Sequence, residues 1–198
     1  VTGIWTTIDL TRTLDVALAL HPDTQRVVVV SGDSSQDRFF QQQAQEEFRR
    51  YEGKTAFTYL NNLTLDELKK RLAALPPRTV VLYLSFFLDR NGNTYTGPEA
   101  LDMFGQSSSA PIYGVSQTYM GYGIVGGSLI DFPGIGNRIG ELTVGILNGE
   151  DPRNIPPRNV PNITMFDWKE LRRWSIDEQR IPAGSIVQFR QPTLWEAY

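Results

Sequence analysis

Two stretches, Arg26-Val27-Val28-Val29-Val30-Ser31-Gly32-Asp33 and Val80-Val81-Leu82-Tyr83-Leu84-Ser85-Phe86-Phe87, are apolar runs unbroken by the alternation of a half-exposed strand. Successive side chains of a strand point to opposite faces, so a strand that is apolar at every position has to be covered on both. That environment is the middle of a parallel sheet with helices on either side. Parallel neighbours need crossover connections, normally helical, so these two runs constrain the segments around them as well.

The flanking segments meet the constraint. Between Asp9 and Leu20, Leu10, Leu14, Ala17, Leu18 and His21 recur at helical spacing until Pro22 stops the run. Ser34 or Ser35 is placed to cap a second helix, with an apolar stripe of Phe40, Ala44, Phe48 and Tyr51, a wet face of Gln41, Gln43, Glu46 and Arg50, and Gly53 at its end. Thr55 to Leu60 alternates as a strand. Thr64-Leu65-Asp66-Glu67 has the residues of a capping box, and Leu65, Leu68, Leu72 and Leu75 follow on one face until Pro76-Pro77. After the second apolar run come a loop from Asp89 to Gly97, a short helix from Pro98, and a strand at Pro111 to Val115. Helices and strands alternate throughout, which predicts an α/β sheet of right-handed crossovers.

Beyond Gly121 the texture changes, with seven glycines between Gly121 and Gly140. The pattern predicts a strand or crossing segment over Ile124 to Phe132, a helix over Asn137 to Leu147 closed by Gly149, and an extended connector over Asp151 to Pro161, which holds four prolines. Asn162 to Phe166 reads as a last buried strand, Asp167 to Trp174 as a short helix, and Ser185 to Arg190 as a strand-like tail.

Composition removes several function classes. The 198 residues include no cysteine and a single histidine, His21, which excludes thiol catalysis, cysteine-ligated metal and histidine-rich metal sites. Nineteen basic against 22 acidic residues, a net charge of -3 with no basic stripe, argue against nucleic acid as a partner. The longest largely apolar run, Val80 to Leu88, is nine residues, well short of the roughly 20 that span a bilayer. At this length a chain buries roughly 70% of its unfolded surface, enough for one domain or two small lobes without a metal or disulfide staple.

Ligands of open α/β sheets bind beyond the carboxyl ends of the strands, where strand order reverses. If the two apolar runs are neighbours there, Ser31, Asp33, Ser34 and Ser85 present polar groups and Phe86 or Phe87 an apolar wall to one crevice. Gln117, Thr118 and Tyr119 follow the next strand end on a glycine-flexible segment suited to a small-ligand pocket. Other patterns are weaker. Gly134-Ile135-Gly136-Asn137-Arg138-Ile139-Gly140 places its third glycine one residue late for a dinucleotide loop. Asp89-Arg90-Asn91-Gly92-Asn93 opens like a calcium loop, but Thr94 and Ala100 stand where its glycine and bidentate glutamate belong. Asn62-Leu63-Thr64 and Asn162-Ile163-Thr164 are glycosylation sequons by pattern only. Glu46 with Glu47 and Asp66 with Glu67 are neighbours on wet helix faces rather than cleft pairs. No catalytic constellation emerges, and no cofactor is implied.

Leu14 to Gly32, Thr79 to Phe87, Pro111-Ile112-Tyr113-Gly114 and Gly123-Ile124-Val125-Gly126-Gly127 resemble the substrate-binding-protein-like domain of ABC transporter periplasmic components. Met165-Phe166-Asp167-Trp168, Leu171-Arg172-Arg173-Trp174 and the ending from Ile181 through Phe189-Arg190-Gln191-Pro192-Thr193-Leu194-Trp195-Glu196 look like its version in the extracytoplasmic sensor region of bacterial membrane histidine kinases. The resemblance implies a type I periplasmic-binding-protein fold, two flavodoxin-like lobes around a ligand cleft, here without the amino-terminal lobe. Under it, residues 1–9 are a hinge crossing, 10–118 the α/β lobe, and 119–198 return crossings, a helix and a tail leading toward the membrane. The implied function is small-molecule sensing, of an amino acid or other small anion, by ligand-dependent lobe closure. The segment itself is then not an enzyme, sits outside the cytoplasm tethered through its parent, and is compatible with a homodimer. Two alternatives stay open, a free transport carrier and a flavodoxin-like enzyme.

Overall fold

The computed structural model describes residues 2–190. In chain order the elements are β1 (Ile4–Trp5), α1 (Leu10–Leu20), β2 (Arg26–Ser31), α2 (Ser35–Phe48), β3 (Ala56–Leu60), α3 (Leu65–Ala73), β4 (Thr79–Ser85), α4 (Gly97–Phe104), β5 (Ile112–Gly114), β6 (Ile124–Leu129), α5 (Phe132–Leu147), β7 (Arg158–Asn159), β8 (Ile163–Asp167), α6 (Trp168–Arg173) and β9 (Ile186–Gln188). Seven strands form one sheet in the order β3-β2-β4-β5-β6-β8-β9. The first five are mutually parallel, β8 runs antiparallel to β6, and β9 is parallel to β8. Counted from β2, the parallel part has the flavodoxin-like order 2-1-3-4-5, with its reversal between β2 and β4.

The apolar runs occupy that reversal. Val27 to Val30 and Thr79 to Ser85 are buried throughout, and each of the four valines on β2 contributes roughly 1.5–3 kcal/mol by leaving water. Helices α1 and α2 pack together against β6, β5, β2 and β4, while α3 and α4 pack together on the other side. Ser34, Thr64 and Thr96 cap α2, α3 and α4 with complete capping boxes, so the starts of these helices are set by side chains rather than by packing alone.

A buried carboxylate joins the ends of the two central strands. Asp37, in the first turn of α2 and fully buried, accepts hydrogen bonds from Ser34 N (3.0 Å), Ser85 Oγ (2.5 Å) and Phe87 N (3.1 Å). Gly32 lies directly beneath it: a Cβ there would sit 2.5 Å from Asp37 Oδ2 and 2.7 Å from the Leu88 carbonyl oxygen. Only glycine fits here, where the chain stays bonded to the β4 side through Gly32 N to Ser85 O at 2.9 Å and Asp33 N to Leu88 O at 2.8 Å. The pairing register slips by one residue here as well, with Val30 opposite Tyr83 but Ser31 opposite Ser85.

The carboxyl-terminal half departs in places from the sequence pattern. Helix α5 starts at Phe132 instead of Asn137, because the Asp131 carboxylate accepts the Gly134 N–H at 2.9 Å and Pro133 suits a first helical turn. The preceding strand accordingly ends at Leu129. The proline-rich connector is not uniformly extended, since it holds a tight turn at Pro152–Asn154 and then β7, which pairs in parallel with β1 through Ile4–Arg158 and Trp5–Asn159. These two strands and α5 form a small layer apart from the main sheet. No residue of α5 is buried, and Phe132, Ile139, Val144 and Leu147 are all about half exposed or more.

Replacing Asp37 by Ala leaves the Ser85 hydroxyl and the Phe87 N–H without their acceptor, and bonds to a charged group are worth about 1.5–3 kcal/mol each; we expect Asp37→Ala to lower unfolding free energy by at least about 3 kcal/mol in urea titrations. A loss below about 1 kcal/mol would show that the junction is incidental. His21 caps α1, and its Nε2 lies 3.0 Å from the hydroxyl of fully buried Tyr113, with Asp23 and Arg180 also near. Burial lowers the His21 pKa, Asp23 opposes this and Arg180 adds to it. The unfolded chain therefore binds the proton more readily, so this contribution is complete above pH ~6.5 and is lost as pH falls through the folded-state value. Thermal unfolding at pH 7.5 and pH 5.5 should show a larger drop in Tm for the native protein than for His21→Gln; equal drops refute the assignment.

Candidate functional site

At the carboxyl ends of β4, β5 and β6 a cavity of about 320 Å³ opens between the strand ends and the first turns of α2 and α4. Leu84, Phe87, Val115, Ile130, Phe40, Pro98 and Tyr119 supply most of its wall, and Ile8, before α1, and Phe132, at the start of α5, close it. Its polar groups are the Gln36 amide and the hydroxyls of Ser116 and Thr118, which lie 2.8 Å apart. No Asp, Glu, Lys, Arg or His is among the described lining residues. The cavity can therefore enclose an apolar or aromatic group and orient it by a few neutral hydrogen bonds.

The wall is held rigidly. Tyr119 donates its hydroxyl to the Leu84 carbonyl at 3.1 Å, and its ring stands edge-on to Tyr83 at 4.9 Å between centroids. Burial raises the Tyr119 pKa, so the phenol stays protonated and remains a donor at physiological pH. The Phe87 N–H is fixed by Asp37, which sits on the same helix as Gln36 and Phe40.

Of the residues expected at the crevice, Phe87, Thr118 and Tyr119 line the cavity. Ser31 and Ser85 are indeed cross-strand partners, but their hydroxyls turn inward, Ser31 donating to Gln41 Oε1 at 2.8 Å and Ser85 to Asp37. A strand end buried on both faces must satisfy its own polar groups internally, which removes these two from any ligand. Phe86 is core and stacks obliquely on Tyr95. Asp33 pairs with Arg38 at 3.1 Å, and Ser34 is occupied as the α2 cap. Gln117 stands beside the cavity without lining it, its Oε1 buried and without a partner. Sequence reasoning missed Gln36, Phe40, Pro98, Ile130 and Phe132. The alternation of α2 pointed to Phe40 as core, and nothing in the pattern showed that its first turn bends over a cavity.

A second, polar cavity of about 340 Å³ lies between the start of α1, β6 and the segment from β7 to β8, lined by Thr7, Asp9, Arg12, Ser128 and Asn159 to Asn162. The weaker sequence patterns have structural explanations. Asp89 is filled by the N–H groups of Asn91 and Asn93, the Asn93 amide and the Tyr95 hydroxyl, at 2.9 to 3.3 Å, leaving no oxygen for a calcium ion. In the glycine-rich stretch the Asp131 carboxylate occupies the start of α5, where a pyrophosphate would have to bind. Among the described residues no group of three His, Asp or Glu side chains is placed to hold a metal, and no helix is long and apolar enough to cross a membrane.

No family model and no curated protein matches the sequence. Solved structures do. A substrate-binding protein with adhesive properties from Clostridium difficile, in its ligand-free open form, superposes with a TM-score of 0.71 at 15% identity, over 96% of this chain and 63% of that one. A conserved domain protein from Vibrio cholerae O1 biovar El Tor matches at 0.65 and 14%, over 94% and 62%. The ABC domain from Streptococcus pneumoniae in complex with L-Trp matches at 0.64 and 17%, over 93% and 64%. This chain thus spans less than two thirds of the length of each. At these identities the likeness is one of fold, and the fold is that of a periplasmic-binding-protein lobe with a largely parallel central sheet flanked by helices.

Proposed function

We propose that this chain is the ligand-holding lobe of an extracytoplasmic small-molecule-sensing domain, and that the cavity at the carboxyl ends of β4, β5 and β6 is its half of the ligand site. The observation that carries the reading is the cavity itself: it lies beside the strand-order reversal, is walled by apolar side chains, and has crossing segments at its rim. Residues 1–9, the segment leaving β6, and the connector through β7 act as the crossings, with 10–118 as the lobe and 119–198 as returns and tail. The helix packed on this two-stranded sheet buries none of its residues, so it covers little of the apolar surface the small layer presents. The pair β1–β7 and the exposed apolar face of α5 therefore suit the edge of a second, amino-terminal lobe, and a matched span of 62–64% of the similar structures leaves room for one.

The lining narrows the ligand. A small inorganic anion finds no positive charge on this half of the cleft, whereas an amino acid with an apolar or aromatic side chain can bury that side chain here and leave its charged groups to the opposite half. The ABC domain captured with L-Trp is in keeping with this chemistry. Ligand held between lobes stabilises the closed arrangement by its higher affinity for it, and closure is the signal. The sensor form, with a histidine kinase as parent, is supported by the residue pattern of the ending, of which 191–198 lie outside the described residues. A free carrier delivering ligand to a permease is the second reading, and an apolar run of about 20 residues following Tyr198 in the parent gene decides for the sensor.

Thermal-shift titration tests the ligand assignment. L-Tryptophan and L-phenylalanine should raise Tm, and glutamate and phosphate should not; ligand at 100 times its Kd adds about 2.7 kcal/mol. Phe87→Ala should weaken the response about tenfold or more in concentration. A shift with phosphate alone, or an unaltered response in Phe87→Ala, refutes the proposed site.

A further inference from the structure

The turn after β5 has two sides. On one, Ser116, Thr118 and Tyr119 line the cavity. On the other, Gly121, at φ +84°, lies flat against the carboxyl-terminal tail: a Cβ added there would stand 3.3 Å from Phe189 Cζ. Between the two sides the backbone is tightly wound, with Tyr119 N bonded to Ser116 O, Met120 N to Gln117 O and Tyr122 N to Tyr119 O at 3.1 to 3.2 Å. A turn held this way moves as one piece.

The far side of the contact is strained. Phe189 holds φ +61°, a conformation that bulky side chains rarely adopt and that persists only where the surroundings impose it. Two restraints impose it here. Upstream, β9 pairs with β8, with Gln188 opposite Asp167. Downstream, Arg190 forms an ion pair with Glu178, which also accepts the Trp168 indole N–H at 3.0 Å. Lys169 Nζ lies 5.9 Å from the centre of the Phe189 ring. Asp167 supports the contact from behind: it is buried, it stands opposite Gln188 in the β8–β9 pairing, next to Phe189, and its carboxylate accepts the Lys169 N–H at 2.8 Å at the start of α6.

We propose that Phe189 and Asp167 are positioning residues that tie the cavity-lining turn to the place where the chain leaves the lobe, so that filling the cavity changes the conformation of residues 187–190. This rests on the reading of the cavity as the ligand site and names how its occupancy reaches the tail. The mechanical link is short, because the turn that contributes Thr118 and Tyr119 to the cavity contributes Gly121 to the tail contact.

Native-state hydrogen exchange on the whole 198-residue chain tests it without a ligand. Phe189→Ala should speed exchange of the Tyr119 to Tyr122 amides at least about tenfold while those of β2 and β4 stay within about twofold. Asp167→Ala should do the same, and Asp167→Asn, which keeps an acceptor oxygen, should restore exchange to near the native rate. In the opposite direction, Thr118→Trp, which places an indole in the cavity, should alter exchange at Val187 to Arg190 at least about threefold. The tie is overturned if Phe189→Ala leaves the turn unchanged, if the increase is equal in β2 and β4, or if Thr118→Trp leaves the tail unchanged. If these couplings hold but L-tryptophan and L-phenylalanine fail to bind, the tie stands and the ligand assignment falls.

Discussion

One carboxylate, buried and paired with no cation among the described residues, sets the geometry on which the rest depends. Asp37 takes the Ser34 N–H that begins α2, the Ser85 hydroxyl that ends β4 and the Phe87 N–H just beyond. A buried carboxylate is tolerable only when its oxygens are filled with donors, and here the donors come from two segments far apart in the chain, the start of α2 and the end of β4. Their convergence registers α2 against β4 at the strand-order reversal. Phe87 on one wall of the cavity, and Gln36 and Phe40 on another, are held through this single group. Gly32 is the complementary constraint, since any side chain there would displace the carboxylate.

The site that results is specialised by omission. With no charged side chain in its described lining, it offers area and shape more than charge, so the affinity it can generate grows with the apolar surface a ligand buries. The polar cavity beside the start of α1 has the opposite character, with Asp9, Arg12 and asparagine amides around it. The molecule thus carries an apolar cavity at the strand ends and a polar one between the start of α1 and the β7–β8 segment.

Much of this could be read from the residues. Two uninterrupted apolar runs required a parallel sheet covered on both faces, and the capping box at Thr64 and a serine cap for α2 were legible, whereas the box at Thr96 was not read from the residues. The region after Gly121 was harder to read. Asp131 starts α5 earlier than its apolar spacing suggests, and β7 owes its existence to β1, far away in sequence, rather than to its own residues. The site was partly legible. Phe87, Thr118 and Tyr119 follow strand ends and line the cavity, whereas Ser31 and Ser85, in equivalent sequence positions, face inward because Gln41 and Asp37 stand ready to accept their hydroxyl protons. Periodicity tells which face of a helix is buried; it does not tell that the first turn of α2 overhangs a cavity.

The most direct measurement of the central claim is a map of backbone amide chemical shifts, recorded with isotopically labelled protein as L-tryptophan is added. The account predicts saturable shifts concentrated at Phe87, Gly97, Val115, Ser116, Thr118 and Phe132, around the apolar cavity. Shifts confined to Thr7, Asp9, Arg12, Ser128 and Asn159 to Asn162, or no saturable shift at the strand ends, would contradict it.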